Sequence, residues 1–135
     1  MQVFPKRFIV IGNLVDFAKH VNKPEEGVLD MSGLLCNLLD RGAMHNIYWF
    51  ADLNQDQVPE VMTINVFQVF IRERNGMHFG GNVQAQKLLA FDNVKYNEQA
   101  RKYPPGFGML PTHDGDDTKM VVTPFYRINQ QGGDA

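Results

Sequence analysis

The chain is poor in features that would assign it quickly. It has a single cysteine, one tryptophan, no long apolar run and no large excess of either charge. Cys36 has no internal partner, so a disulfide framework is excluded, and a reducing, cytoplasmic setting is expected. It falls in the stretch "GLLCNLLDRG", where the default reading is a small hydrophobe on a buried helix face. No apolar stretch approaches the ~20 residues that span a bilayer. Met1 leads into a strand-like segment with no cleavable small-residue site, so no signal peptide is expected. A formal net charge of −2 lacks the basic field of a nucleic-acid binder, so no specific nucleic-acid partner is expected. His20, His45, His78 and His113 lack ligand-like spacing, so neither a metal site nor a cofactor is assigned. Internal repeats are absent.

What is present suits one compact domain. A length of 135 residues supports one core rather than two, and 44% hydrophobic with 21% charged residues is near the globular average. The expected domain covers 1–128, with a polar tail over 129–135. Phe8-Ile9-Val10-Ile11 reads as a strand buried on both faces. Leu14, Phe17 and Val21 follow at helical spacing, and "NKPEEG" breaks that segment. Asp30 or Ser32 can cap the next helix, carrying Leu34, Leu35, Leu38 and Leu39, and Gly42 supplies its stop. "HNIYWFADL" is a second strand. The strand–helix–strand rhythm predicts an α/β fold with parallel pairing.

The second half is read as alternating short elements. Val61, Ile64, Phe67 and Ile71 form a helical stripe in "VMTINVFQVFIRER". "GMHFGGN" predicts a short strand and "VQAQKLLAF" a short helix capped by Asn82. "KYNEQARKY" is a turn or helix. "PPGFGML" turns into a strand, "THDGDD" is a hairpin-like loop, and "KMVVTPFYRI" is a last strand edged by Pro124.

The first strand poses the functional question. Strands of this kind in nucleotide-hydrolysing folds deliver acidic residues for metal and water at their C-terminal ends. This one delivers Gly12 and Asn13. Glycine offers no ligand, and an asparagine amide accepts no proton near neutral pH. Asp16 lies beyond the strand end and reads as a surface or capping acid.

The order "RFIVIGNLVDF", "LLCNLLDRGAMHNIYWFADLNQ", "MHFGGNVQAQKLL", "PPGFGML" and "KMVVTPFYR" resembles the C-terminal half of an FtsK/SpoIIIE-type motor ATPase domain. The nearest likeness is the last, degenerate ATPase domain of the EssC/EccC proteins of type VII secretion. It covers about Arg7 to Tyr126, and no single motif within it is specific. The resemblance implies a parallel-sheet P-loop NTPase-like (RecA-like) half or degenerate domain. The departures are as informative. No "GxxxxGK[ST]" phosphate loop, the Walker A motif, occurs in the chain, and Gly12 and Asn13 stand where the Walker B acids belong. An enzyme is therefore not expected. The resemblance implies a non-catalytic interaction module that binds a secreted substrate or a neighbouring subunit, within a parent that can be membrane-anchored. The alternative is the C-terminal part of an active DNA- or protein-translocating ATPase whose Walker A half lies outside this chain.

Candidate site residues follow from that reading. Gly12, Asn13, Asn54 and Gln55 fall at strand C-terminal ends, where α/β folds place ligands, and would form a vestigial nucleotide-side face or a partner groove. Gln55 matches a sensor position in the resemblance. Phe107, between two glycines in "PPGFG", is a candidate partner contact. Gly80-Gly81 is an anion nest or, equally, a tight turn. "HDGDD" is a cation loop or a solvated turn, the latter favoured. Arg72, Arg74, Arg101 and Lys102 form a modest basic set whose safer reading is a solvated face. Phe8–Ile11 needs neighbours on both sides, so a homo-oligomer or another edge-covering device is expected.

Overall fold

The computed structural model describes residues 4–23, 25–27, 29–91, 94–111 and 118–122. Pro24, the "THDGDD" loop with His113, Pro124 and the polar tail lie outside them. The fold is mixed α/β. The chain divides into two compact units, Met1–Glu73 and Arg74–Ala135. Among the described residues no helix is long and apolar enough to cross a membrane.

The first unit begins with strand β1 (Arg7–Ile11) and helix α1 (Leu14–Asn22). Helix α2 (Ser32–Arg41) follows and runs into a 3-10 turn, Gly42–His45. Strand β2 (Ile47–Ala51), a 3-10 segment (Gln55–Glu60) and helix α3 (Asn65–Ile71) complete it. β1 and β2 pair in parallel, in register from Arg7↔Ile47 to Ile11↔Ala51. The predicted parallel rhythm is thus observed, in a sheet of two strands. Helices α1 and α2 supply the crossover that parallel pairing requires.

Burial on both faces of "FIVI" is not observed. Phe8 is 63% exposed and Val10 76% exposed, and only Ile11 reaches the core. Among the described residues this sheet has two strands, and the Phe8–Val10 row stays largely exposed. The core instead gathers Leu14, Val15 and Ala18 of α1 with Val58, Val61, Ile64, Val66 and Phe67. The predicted stripe in "VMTINVFQVFIRER" is real, because Val61, Ile64 and Phe67 are all buried. Helix forms only from Asn65 onward; the preceding residues are a turn that ends in an extended Ile64.

Helix α2 contributes less than expected. None of its residues is fully buried, Cys36 included. Its leucines fall in two rows. Leu35 and Leu39 are half-buried, whereas Leu34 and Leu38 remain exposed. α2 meets α3 along one side, with Asn65 Nδ2 3.5 Å from Cys36 Sγ and Arg72 paired with Asp40. Asp30 starts the helix by accepting the Ser32 N–H at 2.9 Å. As expected, the α-helix ends at Arg41, but its C-cap, Gly42, is not a left-handed stop. Its φ of −56° is helical, and the left-handed residue that ends the turn is Asn46, φ 58°. Gly42 is small for room: a Cβ there would lie 3.0 Å from the Ile47 carbonyl oxygen and 3.2 Å from Trp49 Nε1.

The second unit holds β3 (Phe107–Pro111) paired antiparallel with β4 (Thr118–Val122). The predicted "GMHFGGN" strand reduces to one bridge, His78 N–H to Met109 O at 2.9 Å and Met109 N–H to His78 O at 2.8 Å. The predicted helix "VQAQKLLAF" is absent, and side chains explain why. Asn82 Oδ1 takes the Gln84 N–H at 3.0 Å. Gln86 closes its own loop, accepting the Leu89 N–H at 2.8 Å and donating to the Leu89 carbonyl at 3.2 Å. Such local bonds divert the backbone from helix to turns. Val83, Val94 and Met109, with Phe91 and Tyr103 against them, form this unit's small core.

Two outcomes follow from this burial pattern. Phe67→Ala should lose about 3–5 kcal/mol in urea unfolding, as a fully buried phenylalanine does, whereas Val10→Ala should leave the midpoint almost unchanged. The Ser32 hydroxyl, and then its backbone N–H, hold the Asp30 carboxyl below its ordinary pKa. Its contribution is therefore present above the usual carboxylate range and lost as pH falls through the depressed value. In acid titrations by far-UV circular dichroism, Asp30→Asn should remove that part of the decline while keeping an acceptor for Ser32.

Candidate functional site

Parallel register brings both strand ends to one place. The chain leaves β1 through Gly12 and Asn13 and leaves β2 through Asp52, Asn54 and Gln55, so the four predicted residues share one end of the sheet. Asp52 ties the two exits together. Its N–H donates to the Ile11 carbonyl at 3.3 Å, its carbonyl accepts the Leu14 N–H at 2.8 Å, and its carboxylate accepts the Asn13 N–H.

Asn13 sits in the left-handed region at φ 58° and caps α1. Its Oδ1 accepts the Asp16 N–H at 3.3 Å, and its Nδ2 donates to the Asp16 carboxylate. Asparagine tolerates this backbone better than most residues, because its short side chain bonds locally. Gly12 plays a different part. It is exposed, and a Cβ there would meet no atom within 4 Å. Asn54 starts the following 3-10 segment by accepting the Asp56 N–H at 3.0 Å, and Gln55 is its half-buried first residue. At the far end of that segment Glu60 pairs with Lys19 of α1 and raises the lysine pKa above its ordinary value.

The chemistry available here is limited by these bonds. At the start of α1 the Leu14 and Asp16 N–H groups are already used, by Asp52 and Asn13. Helix N-termini hold phosphate through such groups. Asp16, Asp52 and Asp56 are exposed at the same end and oppose an anion there. The sequence reading did not single out Asp52. Its signal was the first polar residue after the apolar run "YWFA", the position at which a parallel strand meets its ligand side. Asp16 is an exposed acid in the first turn of α1, bonded to the amide of the Asn13 cap.

The remaining candidates have surroundings within their own units. Arg72 is paired with Asp40 in the first unit. Arg74 donates to the Leu89 carbonyl at 3.0 Å, and Arg101 lies 5.8 Å from the centre of the Tyr103 ring, both in the second unit. Phe107 is half-buried as the first residue of β3, while Phe79 and Tyr96 are exposed aromatics among the described residues of that unit. Gly80 and Gly81 both have positive φ, 128° and 90°, and turn the chain so that the Gly81 carbonyl lies 3.5 Å from His78 Nε2. His78 is buried, its ring edge-on to Phe91. Among the described residues no group of three His, Cys, Asp or Glu side chains could hold a metal ion.

Comparison of the chain with protein-family models, with curated proteins and with solved structures finds no match.

The bonds of Asn13 order a mutant series. Asn13→Gly keeps the left-handed backbone and should cost about half a kcal/mol or less. Asn13→Ala loses the cap and adds a left-handed penalty of ~1–2 kcal/mol, so it should be the least stable. Asn13→Asp places a carboxylate between Asp16 and Asp52, so its deficit at neutral pH should shrink on acidification. Urea midpoints across pH measure all three.

Proposed function

We propose that this chain is a non-catalytic interaction module that binds a protein partner at the C-terminal ends of β1 and β2. The carrying observation is the state of Asn13. Where a nucleotide-hydrolysing strand presents a metal-binding or water-activating acid, this strand presents an amide already committed to capping α1. The nearby Asp52 carboxylate is likewise bonded to the Asn13 backbone. Groups held in this way stabilise the strand exits rather than wait for a phosphate.

The motif order of the sequence extends this reading to a P-loop NTPase-like half or degenerate domain of FtsK/SpoIIIE or type VII secretion ancestry. The parallel β1–β2 pair with its helical crossover is compatible with that ancestry. The partner would then be the tail of a secreted substrate or a neighbouring motor subunit. It would lie as an extended or helical peptide along Gly12, Asn13, Asn54 and Gln55, and the exposed Asp16, Asp52 and Asp56 would favour a tail carrying basic residues. Phe107 belongs to the second unit and would act as a separate contact.

The competing reading is the C-terminal part of an active translocating ATPase. A labelled Lys/Arg-rich peptide followed by fluorescence anisotropy tests the module directly: the purified chain should bind it saturably, and Asp56→Lys should weaken that binding severalfold. Absence of binding would overturn the reading, and magnesium-dependent stabilisation or ATP hydrolysis by the chain would favour the enzyme.

A further inference from the structure

The face of the β1–β2 pair opposite its covered side is a preformed apolar patch. Alternation along the strands puts Phe8 and Val10 beside Tyr48 and Phe50, because the register pairs Phe8 with Tyr48 and Val10 with Phe50. Phe8, Val10 and Phe50 are all more than half exposed. The patch is ordered nonetheless. The Phe8 ring stacks on Tyr48 with centroids 5.7 Å apart and lies 6.0 Å from Phe50. Side chains already fixed against one another lose little entropy when they dock. Parallel strands occur almost only with both faces covered, so this one is unusual in being bare.

Charge at the two ends identifies what covers it. The same alternation continues the Phe8–Val10 row back to Lys6 and the Tyr48–Phe50 row forward to Asp52, both exposed. The strands run in one direction, so Lys6 lies at the start of the patch and Asp52 at its end. The four residues between them carry no charge. A second copy stacked face to face with its strands reversed sets Lys6 of each copy against Asp52 of the other, with apolar side chains meeting between. A copy stacked with strands in the same direction instead sets like charges together, at a cost.

We infer that this chain self-associates as a two-fold dimer through Phe8, Val10, Tyr48 and Phe50, with strands reversed and Lys6 facing the partner copy's Asp52. The same patch serves both copies, as an isologous interface requires. Four side chains of this kind offer on the order of 400 Å² per copy. The total of roughly 800 Å² lies at the low end for specific interfaces, so the dimer is weak and reversible. It leaves Gly12, Asn13, Asn54 and Gln55 at the strand ends but draws on Asp52, so a basic tail bound there would compete with Lys6 for that carboxylate; without such a tail the association stands on its own.

Sedimentation velocity on the full chain over a concentration series tests this. The chain should move from monomer to dimer reversibly. Val10→Lys should weaken association by at least about tenfold, the scale of a lost central contact. Its Tm as a monomer should match that of the parent chain, because Val10 is exposed. Lys6→Glu should weaken association severalfold, and added salt should weaken the parent dimer more than this variant. A dimer indifferent to Val10→Lys would overturn the inference. So would a monomer at every concentration, whether Val10→Lys leaves its Tm unchanged or lowers it by uncovering a face shielded by the same chain.

Discussion

The parallel pairing of β1 with β2 governs the first unit. Parallel strands cannot be joined by a hairpin, so the chain must leave β1, cross over and re-enter at the same end. Here α1 and α2 make that crossing. One crossover covers one face. The row containing Ile11 and Trp49 therefore meets the rest of the unit, and the row containing Phe8, Val10 and Phe50 does not. The same constraint concentrates the strand exits. Both chains emerge side by side, and Asp52 binds them through its backbone and its carboxylate.

The helices respond to this arrangement by packing mainly on one another. Phe67 of α3 is 0% exposed and shares the core with Leu14, Val15 and Ala18 of α1. The 3-10 segment after β2 closes this core with Val58. α2 lies alongside α3 with half of its leucines still in water. The apolar surface of this unit is thus divided between a buried interhelical core and an exposed sheet face. The second unit has its own core around Val83, Val94 and Met109 and its own antiparallel strands.

Much of the first unit was legible in the sequence, and the reason is periodicity. The strands, both crossover helices and the Val61–Ile64–Phe67 stripe all carry local patterns that do not need tertiary knowledge. Burial was less legible. "FIVI" has the composition of a central strand, but how many neighbours a strand has depends on the whole topology, and this sheet has two strands. Helix propensity misled in "VQAQKLLAF", because the bonds from Asn82 and Gln86 to nearby backbone are short-range and compete directly with helix. Gly42 was read as a conformational stop when its lack of a side chain serves close packing against Ile47 and Trp49. At the candidate site, the shared location of the four strand-end residues follows from their positions after the two strands. Asp52 was missed, since its role arises only when β2 is laid beside β1.

Asn13 shows how closely its neighbours specify a residue at a strand's C-terminal end. The residue there must adopt φ 58°, cap α1 with an acceptor, and sit between two carboxylates, Asp16 and Asp52. Glycine meets the first need but has no cap. Aspartate meets the second but adds a third negative charge to the pair. Asparagine brings an acceptor and a donor on separate atoms and tolerates the left-handed backbone: its oxygen caps the helix and its amide donates to Asp16. Its identity follows from these neighbours without any reference to nucleotide. An acid introduced at this position would therefore have to compete with Asp16 and Asp52 before it could serve a metal or a water.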